Sequence, residues 1–237
     1  MTWETIKQKM DGIADKRYAS FSLSLTPTAY TLVGVRIPQL REIAKSLTLD
    51  QVEQLLENPC FDTFETVMLY GFLLARTTSV DDKLFKRIDE FLTVADNWAH
   101  IDCVLSSLKI IKKSKDLFLR RYEKLKSHKG IFHRRFLAVM LLNYYLDDQS
   151  FYQSMVVLSQ IKGGEYYVDM AIGWALSVMM TKNFDVTVSA INQRMFSPNI
   201  SVKAVQKGIE SRRLSEKEKE KLRELRSLLK SKVDKST

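Results

Sequence analysis

Apolar residues recur at intervals of three and four along most of the chain, and few segments alternate strictly for any length. The sequence can therefore bury its apolar surface only by packing helix on helix. Pro27, Pro38, Pro59 and Pro198 are its only prolines, each near an expected element boundary, and glycine is scarce. In GVRIPQLREIAKSL, Pro38 fits the first helical turn and Leu40, Ile43, Ala44 and Leu47 repeat on one face. The next helix, residues 50–58, carries Val52, Leu55 and Leu56 and stops before Pro59. FDTFETVMLYGFLLAR follows, with Asp62 as an N-cap, and then VDDKLFKRIDEFLTVA and DNWAHIDCVLSSLKIIKK.

Further helices are expected in SKDLFLRRYEKLKS, FHRRFLAVMLLNYYL, DQSFYQSMVVLSQI, EYYVDMAIGWALSVMM, NFDVTVSAINQRMF and NISVKAVQKGIESRR. The last helix, in SEKEKEKLRELRSLLKSK, opens on a Ser215–Glu218 capping box and lines Leu222, Leu225, Leu228 and Leu229 along one side. At the other end, Trp3, Ile6 and Met10 share the face of a short helix. Trp98, Arg135 and Trp174 fall on three different helices, 37 and 39 residues apart, close to the period of a two-helix HEAT-like unit. The expected fold is an all-α, HEAT-like helical repeat solenoid with a concave basic face. Residues 1–237 are read as a single domain, with 215–232 as its C-terminal capping helix.

The chain carries 37 Lys and Arg against 28 Asp and Glu, a net charge of +9. Such a surplus favours an anionic partner: DNA, RNA, anionic lipid or an acidic protein. Cys60 and Cys103 have no C-x-x-C spacing and read as small buried hydrophobes of a reducing cytoplasm. With His100, His128 and His133 they do not assemble a zinc ligand set at these spacings. The start, MTWETIKQKM, is no apolar signal segment, and AIGWALSVMM is about half the length of a membrane span. A cytoplasmic, soluble monomer without metal or cofactor is expected.

One segment poses a chemical question. In DNWAHIDCV, Trp98, Ile101, Val104 and Leu105 form the apolar side of a helix, yet Asp102 lies one turn after the tryptophan on nearly the same face. Either the carboxylate is paired inside, with Lys109, His133 or Arg135 as partner, or this face is not all core. His133 is read as a neighbour of a cleft or of phosphate, and His100 as part of a partly exposed helix surface. Tyr18, in ADKRYASF, is placed at the border of the cleft.

Four segments in order, GVRIPQLREIAK (34–45), NWAHID (97–102), HRRFLAVMLL (133–142) and YYVDMAIGWAL (166–176), resemble the motifs of the DNA alkylation repair family. The resemblance runs through most of the chain. It implies a HEAT-like fold and, in active members, hydrolysis of the N-glycosidic bond of N3- or N7-alkylpurines in DNA. The family's cleft of two tryptophans, an aspartate and an arginine carries over to Trp98, Trp174, Asp102 and Arg135, with Arg134 as the alternative arginine.

Alkylation makes the base cationic and a good leaving group, so no strong acid is needed. What remains is to stabilise positive charge growing on the sugar and to place a water, which a preorganised carboxylate such as Asp102 can do. The tryptophans would offer aromatic surface to the cationic nucleotide, and Arg135 would grip a phosphate. No lysine has a stated reason for a lowered pKa, which favours a monofunctional hydrolase over a lyase. Double-stranded DNA, alkylated or branched, is the expected partner. Its phosphates are expected to meet Arg134, Arg135, His133, Lys203, Lys207, Arg212 and Arg213. Two other readings stand beside this one: a non-catalytic module for damaged or branched DNA, and a helical-repeat scaffold for an acidic protein.

Overall fold

A computed structural model describes residues 1–233, which form two compact units, the first of residues 1–114 and the second beginning at residue 115. All described regular structure is helical apart from one isolated bridge between Thr31 and Thr63. The first unit holds α1 (Trp3–Asp11), α2 (Lys16–Leu25), α3 (Ile37–Ser46), α4 (Leu49–Glu57), α5 (Phe64–Leu74), α6 (Asp82–Val94) and α7 (Trp98–Ser107). The second holds α8 (Lys115–Tyr122), α9 (Ile131–Tyr144), α10 (Phe151–Gln160), α11 (Tyr166–Met180), α12 (Phe184–Asn192), α13 (Pro198–Glu210) and α14 (Glu216–Val233). No described helix is long and apolar enough to cross a membrane.

Each unit is organised round one central helix. Every residue of α5 is buried, and α3, α4, α6 and α7 all pack against it. In the second unit α11 plays the same part, touching α9, α10, α12 and α13. Alternate helices thus contact one another, α3 to α5 to α7 and α9 to α11 to α13, as in stacks of helical pairs. Close approach of α11 to α13 requires Gly173, because a Cβ there would lie 3.0 Å from Lys203 Cβ and 3.2 Å from the Ala204 nitrogen.

Local chemistry sets the helix ends. Pro38 stands in the first turn of α3, and Ser215 and Glu218 cap α14 reciprocally, Ser215 N donating to Glu218 Oε2 at 2.8 Å and Glu218 N to Ser215 Oγ at 3.3 Å. Leu222 and Leu225 of α14 are buried, Leu222 meeting Gly208 of α13, whereas Leu228 is exposed. The cap of α5 is Thr63, whose Oγ1 accepts from Thr66 N, and not Asp62. Asp62 instead pairs with Lys7 at 2.6 Å. The helix expected to run through Lys113 ends at Ser107 and tightens into a 3₁₀ turn over Lys109–Lys113.

A charged cluster joins α4 to α6. Arg87 grips Glu53 with both ends of its fork, Nη1 to Oε2 at 2.9 Å and Nη2 to Oε1 at 2.8 Å, and Lys83 pairs with the same carboxylate. The hydrogen bonds from Arg87 and then Lys83 outweigh desolvation and hold the Glu53 carboxyl at about 2. A depressed folded-state pKa means that the unfolded chain takes up the proton first. Stability from this cluster is therefore complete above the ordinary glutamate range and is lost as pH falls from there through about 2. Glu53 is 44% exposed, so solvent screens the contribution. Urea midpoints measured from neutral to acid pH should fall less steeply for Glu53→Gln than for the unaltered protein; parallel curves would remove Glu53 as a source of acid lability.

Candidate functional site

In the first unit α7 starts from Asn97, whose Oδ1 accepts from the backbone nitrogens of Ala99 and His100. This cap puts Trp98 at the first helical position and Asp102 one turn later, both half-buried, while Ile101, Val104 and Leu105 face the core. The indole N–H of Trp98 donates to the Leu25 carbonyl, which closes α2, at 3.1 Å. The ring also borders an apolar cavity of about 170 Å³ together with Tyr18, Phe21 and Phe64. Thus Tyr18 is brought near Trp98, in a hollow smaller than most ligand pockets.

His100 corrects an expectation. It is fully buried and stacked on Phe64 with ring centroids 4.5 Å apart. Its Nε2 lies 3.1 Å from the Phe64 carbonyl, which can only accept, so the proton is assigned to Nε2. That leaves Nδ1 to accept from Asn97 Nδ2 at 2.9 Å, with Asp96 Oδ1 3.4 Å away, so both ring nitrogens have polar neighbours in the core. Asp96, beside it, accepts from Thr28 Oγ1 and the Ala29 nitrogen, each at 2.6 Å, and so anchors the loop after α2 to the start of α7.

Arg41 of α3 has no counterpart among the expected site residues. Its Nη2 donates to the Cys103 carbonyl at 3.2 Å and to Ser106 Oγ at 3.0 Å, fixing the end of the helix that carries Asp102. An arginine inside the first motif was the available signal, but its target is 62 residues away in sequence. Cys103 and Cys60 are free and half-buried, and burial raises both thiols above their ordinary pKa, so neither is an activated nucleophile.

In the second unit the two arginines of α9 are both buried, at 1% and 6% exposure for Arg134 and Arg135. Arg134 donates to the Lys162 carbonyl and, at 2.7 Å, to Glu165 Oε1. Its guanidinium is committed to holding the loop before α11, a structural task that does not suit a phosphate contact. Arg135 Nη1 donates to the Tyr167 carbonyl at 2.6 Å. His133 is half-buried and stacks on His128 with ring centroids 3.9 Å apart. Lys203, half-buried, lies over Gly173.

Trp174, by contrast, stands at the surface of α11 with 37% exposure and lines a cavity of about 580 Å³ with Lys207, Arg212 and Arg213. Four of the expected residues are thereby brought together within one unit. Asn143, Ser177 and Thr181 complete this wall, and short polar side chains on otherwise apolar helices gave no sequence signal for it.

None of the curated proteins compared with the chain matches it. A family model described as DNA alkylation repair enzyme matches residues 6–223, a span that contains all four motifs as well as Trp98, Asp102, Arg135 and Trp174. The chain belongs to the DNA alkylation repair enzyme family.

Proposed function

We propose that this protein is a DNA-binding, HEAT-like, monofunctional glycosylase that hydrolyses the N-glycosidic bond of N3- or N7-alkylated purines in double-stranded DNA. The observation that carries the reading is the half-buried Trp98 and Asp102, one helical turn apart on α7, at the second motif of a family match that spans nearly the whole chain. As the bond between C1′ and the purine nitrogen breaks, its electron pair leaves with the base, which was cationic and departs neutral. Positive charge grows on the sugar, and the Asp102 carboxylate stabilises it. A water bound to that carboxylate attacks C1′ and gives up its proton to it, leaving an abasic sugar.

In the first unit Trp98 offers an aromatic face to the cationic nucleotide; in the second, Trp174 offers one to the DNA strand and Arg135 steadies a phosphate. His133, Lys203, Lys207, Arg212 and Arg213 contribute contacts to the backbone of the strand. A second reading, DNA binding without base release, is favoured by the indole of Trp98 being already bonded to Leu25 and packed over an apolar cavity.

The experiment that separates them is release of free base from duplex DNA containing N7-methylguanine and N3-methyladenine. The glycosylase reading expects Asp102→Asn to lower the rate by about 10²-fold, the scale on which loss of one preorganised electrostatic group acts. Trp98→Ala is expected to lower it as well. Variants that match the unaltered protein would remove these residues from the chemistry.

A further inference from the structure

The three tryptophans differ in what their indoles do. Trp3 Nε1 donates to the Leu55 carbonyl and Trp98 Nε1 to the Leu25 carbonyl, each at 3.1 Å. Trp174 makes no such bond, and its ring meets no other aromatic or cationic side chain among the described residues. An indole that is exposed, unbonded and set in a cavity of about 580 Å³ is an open stacking surface.

The charge around it is equally uncommitted. Lys207 lies in the last turn of α13 and Arg212 and Arg213 occupy the turn after it, and none of the three has an ion-pair partner among the described residues. Glu210 is the single carboxylate of the lining, and its Oε1 accepts from Gln206. The pocket lies at the C-terminal ends of α11 and α13, where helix carbonyls carry partial negative charge. Ser177 and Thr181 spend their hydroxyl protons on the Trp174 and Val178 carbonyls. Attraction for an anion here therefore comes from the three cationic side chains alone, which makes it sensitive to salt.

We infer that this pocket holds an unpaired nucleotide of a DNA strand, its base stacked on Trp174 and its adjoining phosphates held by Lys207, Arg212 and Arg213. In a duplex both faces of a base are covered by its neighbours, so an indole can stack only where a base is unpaired or splayed. The assignment rests on the DNA reading above and deepens it, giving the second unit a preference for strand that has left the helix.

The test is fluorescence anisotropy of a labelled ten-residue oligothymidylate titrated with the full chain across a salt series. Three phosphate contacts on a single strand predict a slope of log affinity against log salt of about −2. Arg212→Ala/Arg213→Ala should reduce it to about −0.7. Trp174→Ala should weaken binding about tenfold or more, with Trp174→Phe retaining most of the affinity.

Unchanged affinity and slope in these variants would overturn the pocket. So would an equal loss in Lys112→Ala/Lys113→Ala, which removes two exposed cations of the first unit and would signal diffuse attraction. Thymidine monophosphate competing as well as the oligomer would overturn the strand. A blunt duplex depending on Trp174 as strongly as the oligomer does would overturn the unpaired nucleotide. Base release from alkylated duplex is read separately, so the pocket can fail while the glycosylase reading stands.

Discussion

Glu65→Ala is expected to destabilise the first unit by about 5 kcal/mol, more than any other single truncation in it. Glu65 is 1% exposed, and its carboxylate accepts three consecutive backbone nitrogens: Val33 at 3.0 Å, Gly34 at 2.7 Å and Val35 at 3.2 Å. Hydrogen bonds to a charged group contribute about 1.5–3 kcal/mol each, and donors left buried without acceptors add their own desolvation cost. The nest cannot rebuild itself around another side chain, because Gly34 holds φ at +101° and a Cβ there would lie 2.3 Å from the Asp15 carbonyl oxygen. Glu65→Gln keeps the shape but turns an amide N–H toward a backbone donor, so it should lose about half as much. Urea denaturation at neutral pH measures both; a Glu65→Ala midpoint close to that of the unaltered protein would contradict the assignment.

Arg134→Ala should cost the second unit about 3 kcal/mol, mostly through the lost packing and the orphaned acceptor, since the Glu165 carboxylate is 38% exposed and regains water. The side chain ties α9 to the segment before α11 through Lys162 and Glu165, and it holds the Glu165 carboxyl below the ordinary range. Truncation leaves the Lys162 carbonyl without its donor and opens a void where the largest fully buried side chain had been. Arg135→Ala, which removes another buried guanidinium and its bond to the Tyr167 carbonyl, is expected to cost stability too and, unlike Arg134→Ala, to weaken DNA binding as well. Denaturation of the two variants side by side, with binding to duplex DNA measured on each, checks the division. Loss of DNA affinity confined to Arg134→Ala would reverse the two assignments.

Much of the helical layout was legible because its causes are local. Pro38 in a first turn, the Ser215–Glu218 box and the three-and-four spacing of leucines act within a few residues of where they stand. The same holds for α1, where Trp3, Ile6 and Met10 are buried together. Asp62 and Thr63 are adjacent and equally able to cap, and the choice fell to Lys7, a partner 55 residues away. The break at Leu108 has no glycine or proline to announce it.

Partners distant in sequence hid the rest. Glu65 reads as an ordinary acid in a first turn, yet its donors come from residues 33–35. His100 looked exposed because nothing near it in sequence suggested the Phe64 carbonyl as an acceptor. Arg134 and Arg135 are neighbours with the same chemistry, and α9 buries both. Of the candidate site, the sequence offered Trp174 with Lys207, Arg212 and Arg213 as separate features, and folding of the second unit gathers them round one cavity.

The most direct measurement is single-turnover release of N7-methylguanine from duplex DNA, with the protein in excess and free base separated by chromatography. Release well above the spontaneous rate is expected, with a return toward that rate in Asp102→Asn. Release at the spontaneous rate, from a protein that binds the same duplex, would contradict it.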